Sequence, residues 1–533
     1  MNSASTSETT ADYVVVGTGS AGAVVAARLS EQSGNQVVAL EAGPADTNSF
    51  AHIPAAFSKL FQTECDWAYL TTEQPALGNR RVFYPRGKLL GGSSSMNAMM
   101  WVRGYAADYD EWGRLAGPDW SYAKVAEYFT RIESVEGATE PEHGRGGPLH
   151  ISRQRSPRAM TADFLAAAEQ AGFKQEPANT AQPEGFCQTM VTQRRGARWS
   201  TADAYLKPAR KRANLTVRTG AQVTRVLFEG TRAVGVEYRS EGATHTVRAR
   251  KEVVLCGGAI NTPQLLQLSG IGDEAQLRAH GITVRHHLPE VGRNLTDHLI
   301  SLLGFATGSD TLFDAEKPRQ LVDYLVRRRG MLTSNVGEAY GFVRSRPDLE
   351  LPDLEIIFGP APFYDEGIGV APGHGVALGP ILLRPRSRGT VTLGSADPLA
   401  KAIVDPNYLS DPDGADRTAL LAGLRIAHRI ATTAPLGPQL GGFLQPKREQ
   451  PTLDETLEEA LTWHAHTLYH PVSTCRMGND PASVVTPDLR VRGVDNLRIA
   501  DASIMPTIIR GHTHAPSVVI GEKAADAILA ANR

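Results

Sequence analysis

Apolar runs near the start of the chain alternate with a turn of small residues in a way that predicts strand, helix and strand. Asp12 to Val16 is a short apolar run of the kind found in buried strands. Ala21 to Leu29 has alanine, valine and leucine at helical spacing, and Gln36 to Leu40 is a second strand-like run. Strands joined through a helix run parallel, so we predict a βαβ unit here.

The same kinds of pattern recur further along the chain. "EVVLCGGAINTPQLLQLSGIG", residues 252–272, predicts a strand, a turn and a helix that starts near Thr262 and Pro263. Residues 316–464 mix strand-like runs ("DLEIIFGP", "VALGPILLRPRS", "RGTVTLGS") with helical stretches ("ADRTALLAGLRIAHRIA", "TLDETLEEALTWHAH") and contain no second glycine turn of this type. We therefore predict an α/β fold whose second part is of mixed α+β character.

Composition limits the possible functions. A chain of 533 residues suits two or three domains. A formal charge of −2 gives no electrostatic reason to expect nucleic acid or an anionic membrane as partner. The polar N-terminus and the lack of any stretch of about 18 apolar residues argue against a membrane-spanning segment, so we expect a soluble, cytoplasmic protein. Four scattered cysteines predict reduced thiols.

The turn after the first strand has the spacing of a dinucleotide site. Gly17, Gly19 and Gly22 form G-x-G-x-x-G at the start of the predicted helix, where bare backbone and the helix N-terminus receive a pyrophosphate. Glu41 ends the second strand 22 residues beyond Gly19, where a βαβ unit places a carboxylate on ribose hydroxyls. The motif predicts a bound dinucleotide and leaves NAD and FAD both open.

Five of the fifteen histidines fall between residues 464 and 514, which raises the question of a metal site. His464 and His466 would point to different faces of a helix, so they cannot easily share one ion with His470. The stretch from His464 to His470 also contains no acidic residue. We therefore predict no metal.

Four separated motifs carry a family resemblance. The first two are "GKLLGGSSSMNAMMWVRGYAADYD" (residues 87–110) and "GAINTPQLLQLSGIG" (258–272), the third is "YHPVSTCRMG" (469–478) followed by "NLRIADASIMP" (496–506), and the last is "HTHAP" (512–516). With these motifs in this order, the chain resembles the glucose–methanol–choline (GMC) family of FAD-dependent oxidoreductases from about residue 12 to the C-terminus.

The resemblance implies FAD as cofactor and a discontinuous FAD-binding domain, here residues 1–155, 200–315 and 465–533. Residues 156–199 and 316–464 would form a substrate domain built on an antiparallel sheet. FAD would be noncovalent, because Met96 stands where some members have a histidine that bonds to the flavin. The residues expected to contact FAD are Gly17, Gly19, Ser20, Ala21, Gly22, Glu41, Ala42, Gly87, Gly91, Gly92, Ser95, Asn97, Ala98, Val223, Asp501, Ala502, Thr513 and Pro516.

The resemblance also implies a catalytic pair, His470 and His512. A neutral imidazole would take the proton of an alcohol while hydride leaves the α-carbon. Tyr469 and Glu338 would contact the substrate, although Glu338 could equally be an exposed strand carboxylate. His514 is expected to point away as the chain turns into a closing helix at Pro516.

The implied substrate is a small primary alcohol, aliphatic or aromatic, with oxygen or a quinone as electron acceptor. An oxidase, a dehydrogenase, a non-redox lyase and a catalytically silent flavoprotein all remain open, as does the oligomeric state. Ser473 stands where the family usually has glycine, so the backbone there is expected to differ.

Overall fold

The computed structural model describes residues 9–139, 143–308, 310–447 and 450–532. Its first large sheet has seven strands and contains the predicted βαβ unit. The strands lie in the order Leu215–Arg218, Val37–Leu40, Thr9–Val16, Ala243–Leu255, Arg232–Ser240 and Gln222–Glu229, with Leu497–Ile499 paired to Ala243–Leu255. The pairs around Thr9–Val16 are parallel, and the last two connections in that order are antiparallel.

The predicted helices are present, with two starts shifted. The first runs Gly22–Leu29, is buried along almost its whole length, and packs against the closing helix His514–Ala531. That closing helix begins at His514 rather than at Pro516, because Pro516 occupies its first turn, where a missing N–H costs nothing. The helix of the second turn motif runs Gly258–Leu268 and so begins before Thr262.

The second large sheet is antiparallel and has eight strands. Six lie in the order Leu440–Gln445, Leu303–Thr307, Gly375–Leu382, Leu354–Gly359, Ala339–Val343 and Gly185–Gln188, while Leu299–Ile300 pairs with both Gly375–Leu382 and His466–Thr467. The helix Ala415–Thr432 packs on one face. The mixed α/β architecture expected from the sequence is thereby confirmed.

The remaining described elements are short. The other strands are Tyr69–Gln74, Arg80–Tyr84, Glu133–Val135, Leu149–Arg153, Met190–Val191, Gln193–Arg194, Ala197–Arg198, Ile271–Gly272, His286–His287, Thr390–Thr392 and Ile403–Asp405. The other α-helices are Ala106–Ala116, Tyr122–Ile132, Ala159–Gln170, Lys207–Ala209, Glu274–Ala279, Pro318–Arg327 and Leu453–His464. Ala202–Leu206 is a π-helix, and 3₁₀ turns include Pro54–Leu60, Gly92–Ser95, Leu312–Glu316, Met331–Thr333 and Ala502–Ile504.

The two sheets suggest where the domains divide. Leu299–Ile300, Leu303–Thr307 and His466–Thr467 belong to the antiparallel sheet, although the expected boundaries put 200–315 and 465–533 in the FAD-binding part. We propose that the substrate domain takes in these strands, because backbone pairing ties them to the second sheet rather than the first. Among the described residues, no helix has the length and apolar character needed to cross a membrane.

Candidate active site

One cavity lies where the glycine turn meets the carboxyl ends of the parallel strands. We call it the glycine cavity. Eleven of the residues expected to contact FAD line it: Gly17, Gly19, Ser20, Ala21, Glu41, Ala42, Gly87, Gly92, Val223, Asp501 and Ala502. This is the edge of a parallel sheet at which nucleotides bind.

Two positions in the turns beside this cavity require glycine for steric reasons. A Cβ atom on Gly22 would lie 2.0 Å from the carbonyl oxygen of Gly17, inside the first turn. A Cβ atom on Gly92, which has φ +51°, would lie 2.7 Å from the Cα atom of Gly19. The two glycine-rich turns therefore touch through bare backbone, which a ligand can approach closely.

Glu41 is held at the end of its strand by the turn itself. Its Oε2 accepts hydrogen bonds from the backbone N of Thr18 at 3.0 Å and from Thr18 Oγ1 at 2.8 Å, and its Oε1 accepts from the backbone N of Gly43 at 3.1 Å. Burial raises the pKa of the carboxyl. The side chain lines the cavity in the position from which a carboxylate binds ribose hydroxyls.

A second cavity adjoins the first and contains the histidines. We call it the histidine cavity. Its lining includes His470, His512, Tyr469, Asn97, Ala98 and Thr513, all of them predicted site residues. The rings of His470 and His512 lie 4.9 Å apart between centroids, at 79° to each other. The expected pair is therefore brought together at one wall.

His470 is fixed by its backbone as well as by its ring. Its backbone N donates to Asp297 Oδ1 at 2.8 Å, while Asp297 Oδ2 accepts from the hydroxyls of Tyr84, Tyr408 and Thr467 at 2.5 to 2.7 Å. The preceding residue, Tyr469, has φ +67°. A tyrosine in this left-handed conformation is strained, and such strain concentrates at functional sites.

A third histidine, His298, stands behind His470 and was missed from the sequence. It is completely buried, and its Nδ1 lies 3.0 Å from Nδ1 of His470. Its Nε2 lies 3.2 Å from the carbonyl oxygen of Leu383. Burial lowers the pKa of His298 to about 3 and holds that of His470 well below its usual range, so both rings are neutral at pH 7.

His512 has a different partner, a buried glutamate. Its Nε2 lies 3.1 Å from Oε1 of Glu355, in the strand Leu354–Gly359. Glu355 is fully buried, and its Oε2 has no hydrogen-bond partner. Since a carboxylate only accepts, His512 Nε2 is the donor in this pair, and Nδ1 is the ring nitrogen left for a ligand.

Comparison with known proteins identifies the family of this chain. Family models described as GMC oxidoreductase match residues 11–300 and 385–521. The chain belongs to the GMC oxidoreductase family. It is 64% identical, over 98% of its length and 99% of the relative, to an uncharacterized GMC-type oxidoreductase of Mycobacterium tuberculosis. It is 41% identical, over 97% and 95%, to an alcohol dehydrogenase [acceptor] of Pseudomonas putida.

A solved structure shows the same fold. Pyridoxine 4-oxidase from Mesorbium loti superposes with a TM-score of 0.87 at 31% identity, over 97% of this chain and 98% of that one. The 533-residue chain, as a GMC oxidoreductase, is therefore an FAD-binding flavoprotein.

The geometry fits FAD. The two cavities share five lining residues, Ser20, Arg86, Ser93, Ala502 and Ser517, so they lie side by side. Glu41 and the glycine turns at one end suit the adenosine and pyrophosphate. The histidine pair stands at the other end, where the isoalloxazine ring would lie. Met96 lines that end and offers only a thioether, so noncovalent attachment stays the prediction.

Four residues expected to contact FAD lie outside the described lining of both cavities. Gly22 and Gly91 shape the turns, and Gly91 donates its N–H to the carbonyl oxygen of Thr18 at 3.0 Å. Ser95 Oγ donates to the carbonyl oxygen of Leu90 at 2.7 Å, and Pro516 is buried in the closing helix. Ser517, one residue later, lines both cavities instead.

Glu338 is also outside the described lining of the histidine cavity. It is fully buried rather than exposed. Its Oε2 accepts from Thr161 Oγ1 at 2.6 Å and from the backbone N of Arg158 at 2.8 Å, and its Oε1 accepts from Ser334 Oγ at 2.6 Å. With both oxygens occupied, Glu338 joins neighbouring segments, and the geometry gives no support to its expected contact with substrate.

His514 faces the histidine cavity, contrary to expectation. It is the first residue of the closing helix, and its Nδ1 lies 3.0 Å from Ser20 Oγ. Its ring meets Trp101 edge to face at 5.9 Å, and burial lowers its pKa to about 4. His514 therefore lies beside Ser20, which lines both cavities, and it is separate from the contact between His470 and His512.

Much of the remaining lining of the histidine cavity is apolar. Its hydrophobic lining includes Phe57, Phe61, Met96, Met99, Met100, Ile300, Leu302, Val336, Ile357, Phe363 and Leu468. Arg86 is the charged side chain of the described lining, and its guanidinium donates to the carbonyl oxygen of Tyr469 at 2.6 Å. No carboxylate belongs to that described lining, so a cationic ligand would have no counter-charge there.

Proposed function

We propose that this GMC oxidoreductase oxidises an uncharged primary alcohol to the aldehyde, with His470 as the base that takes the hydroxyl proton. The observation that carries the proposal is the chain of contacts from Leu383 through His298 to His470. It determines which nitrogen of His470 is free.

The protons can be assigned along this chain. A carbonyl oxygen only accepts, so His298 carries its proton on Nε2 and donates it to Leu383. Because neutral imidazole has one N–H, Nδ1 of His298 is then an acceptor, and Nδ1 of His470 must donate to it. His470 therefore keeps an unprotonated Nε2, which is the form a general base requires.

His512 would orient the alcohol oxygen. Its Nε2–H is held by Glu355, which fixes the plane of the ring. Its unprotonated Nδ1 is then a second acceptor beside Nε2 of His470, and the two nitrogens would hold the single hydroxyl hydrogen between them. The T-shaped contact of the two rings allows both to face one atom. Bound FAD supplies the acceptor for the hydride that leaves the α-carbon.

The apolar lining supports an aliphatic or aromatic alcohol rather than a quaternary ammonium such as choline. Methionine and phenylalanine side chains favour a hydrophobic chain or ring. The lack of a carboxylate in the described lining leaves a fixed positive charge uncompensated on burial. Oxygen or a quinone would then accept the electrons.

The test is an anaerobic titration of the FAD-loaded protein with 1-octanol, benzyl alcohol and choline, followed by admission of air. We expect the visible flavin band to bleach with the first two alcohols and not with choline. Recolouring in air within seconds identifies oxygen as acceptor, whereas recolouring only with an added quinone identifies a dehydrogenase. No bleaching with any primary alcohol would contradict the proposal.

A further inference from the structure

The helix Pro318–Arg327 has its amphipathic faces inverted. Its buried side chains are the polar Gln320 and Tyr324, whereas leucine and valine point to solvent. Leu321, Val322, Leu325 and Val326 are 45%, 59%, 59% and 76% exposed, and Phe313 just before the helix is 44% exposed. Helices of water-soluble folds normally turn such residues inward, and a grouped apolar surface marks an interaction site. We call these five residues the outward face.

Cationic side chains surround the outward face. Lys317, Arg319, Arg327, Arg328 and Arg329 belong to the same segment, and Lys59 joins it by an ion pair with Glu316. The acids nearby are Asp314, Glu316 and Asp323, half as many as the cations, and each is paired. The exposed Arg155 and Arg195 border this cluster beside Gly196, which lies against the carbonyl oxygen of Arg328.

We propose that the outward face docks this enzyme as a peripheral protein on the surface of an anionic lipid bilayer. An apolar helical face flanked by arginine is the pattern of helices that lie in the membrane interface, where the apolar side chains enter the acyl boundary and the cations meet anionic headgroups. The net charge of −2 concealed this local excess of positive charge.

Charge favours the bilayer over a second copy of the chain. A two-fold contact uses the same patch on both partners, so it would bring the Arg327–Arg329 cluster of one copy towards that of the other. Like charges facing each other oppose association. An anionic surface complements both the apolar and the cationic parts of the patch.

The outward face lies beside the segments that build the histidine cavity. Tyr324 OH donates to the carbonyl oxygen of His52 at 3.2 Å, and the 3₁₀ turn Met331–Thr333 after the helix contacts the turn Pro54–Leu60, whose Phe57 lines the cavity. Asn335 and Val336 follow directly and line it too. A docked bilayer would thus be adjacent to the cavity, where an apolar alcohol dissolved in lipid would arrive.

The test is flotation of the FAD-loaded protein with vesicles of phosphatidylcholine alone or mixed equally with phosphatidylglycerol. We expect binding to the mixed vesicles, weakened by salt, and little binding to phosphatidylcholine. A cation near an anionic surface contributes about fivefold in affinity, so Arg327→Gln with Arg329→Gln should lower partitioning by about 25-fold. Val322→Ser, Leu325→Ser and Val326→Ser together should abolish flotation.

Matched controls separate docking from general stickiness. Arg278 is 70% exposed and pairs with an acid four residues away, as Arg327 does at 73%, and Leu399 and Leu453 are exposed apolar residues elsewhere. Arg278→Gln and Leu399→Ser with Leu453→Ser should float like the parent. The proposal would be overturned if the parent failed to float with mixed vesicles. It would also be overturned if the arginine variant and the serine variant both floated as well as the parent.

Sedimentation of the same variants tests the competing occupant. The parent could be a dimer that does not bind vesicles, and the variant with serine at Val322, Leu325 and Val326 could be a monomer. This result would show that a second copy covers the outward face, and it would also overturn the proposal. Flavin bleaching by a water-soluble alcohol should be unchanged in every variant, so the outcome is independent of the proposed reaction.

Discussion

Replacing His298 tests the proton assignment, because His298 does not line the described histidine cavity but sets the tautomer of His470. His298→Leu would leave Nδ1–H of His470 buried without an acceptor. A buried unsatisfied donor costs about 1–3 kcal/mol. This cost destabilises the tautomer of His470 whose Nε2 is unprotonated. Anaerobic flavin reduction should therefore slow by roughly 5- to 150-fold at equal FAD content.

The conservative variant distinguishes this role from a packing role. In His298→Asn, the amide oxygen can accept from His470 Nδ1 while the amide nitrogen donates to the carbonyl of Leu383. It should recover part of the rate that His298→Leu loses, although both variants remove the ring. Stopped-flow flavin reduction measures this. Parent-like reduction in His298→Leu, or equal loss in both variants, would refute the assignment.

Four further outcomes are expected. Burial holds the pKa of His470 well below 6.5, so its ring stays neutral as the pH falls. The rate of flavin reduction should therefore stay constant from pH 8 to about 6.5 and decline only at lower pH. A decline centred above pH 7 would contradict this. Glu41→Ala should release FAD more readily, measured by fluorescence after dilution, with turnover per bound flavin little changed. Ser473 has φ +73° and a buried Oγ without a partner, so Ser473→Gly should raise the unfolding free energy by about 1 kcal/mol in urea denaturation, and a decrease would count against strain there. Acid precipitation should free all the flavin, since Met96 cannot bond to it, and a yellow pellet would show otherwise.

Local sequence was enough to predict the glycine cavity. The turn, helix and terminal acid of a βαβ unit lie within about thirty residues, and each has a steric or electrostatic reason visible in the sequence. The structure places Gly17, Gly19 and Glu41 in one cavity, as expected. The expected difference in backbone at Ser473 is not supported, because its φ of +73° lies in the left-handed region that glycine adopts most readily.

Contacts between distant segments explain what sequence missed. His298 lies 172 residues from His470 and Glu355 lies 157 residues from His512, so no spacing rule relates them. A signal was nevertheless present. His298 and Glu355 are polar residues inside or beside apolar runs, "TDHLISLL" and "DLEIIFGP". Buried polar groups of this kind need a hydrogen-bond partner. The pairing of the strand Leu303–Thr307 within the antiparallel sheet likewise joins segments far apart in the chain.

The central claim, that His470 accepts the hydroxyl proton, is tested most directly by anaerobic flavin reduction in His470→Ala with and without added imidazole. General-base catalysis is worth about 10²–10⁴ in rate, so the variant should be slower by about that factor, and imidazole should restore part of the loss by occupying the vacated space. His464→Ala, a half-buried histidine outside the described cavity lining, should reduce flavin like the parent. A His470→Ala rate within about threefold of the parent at full FAD content would contradict the account.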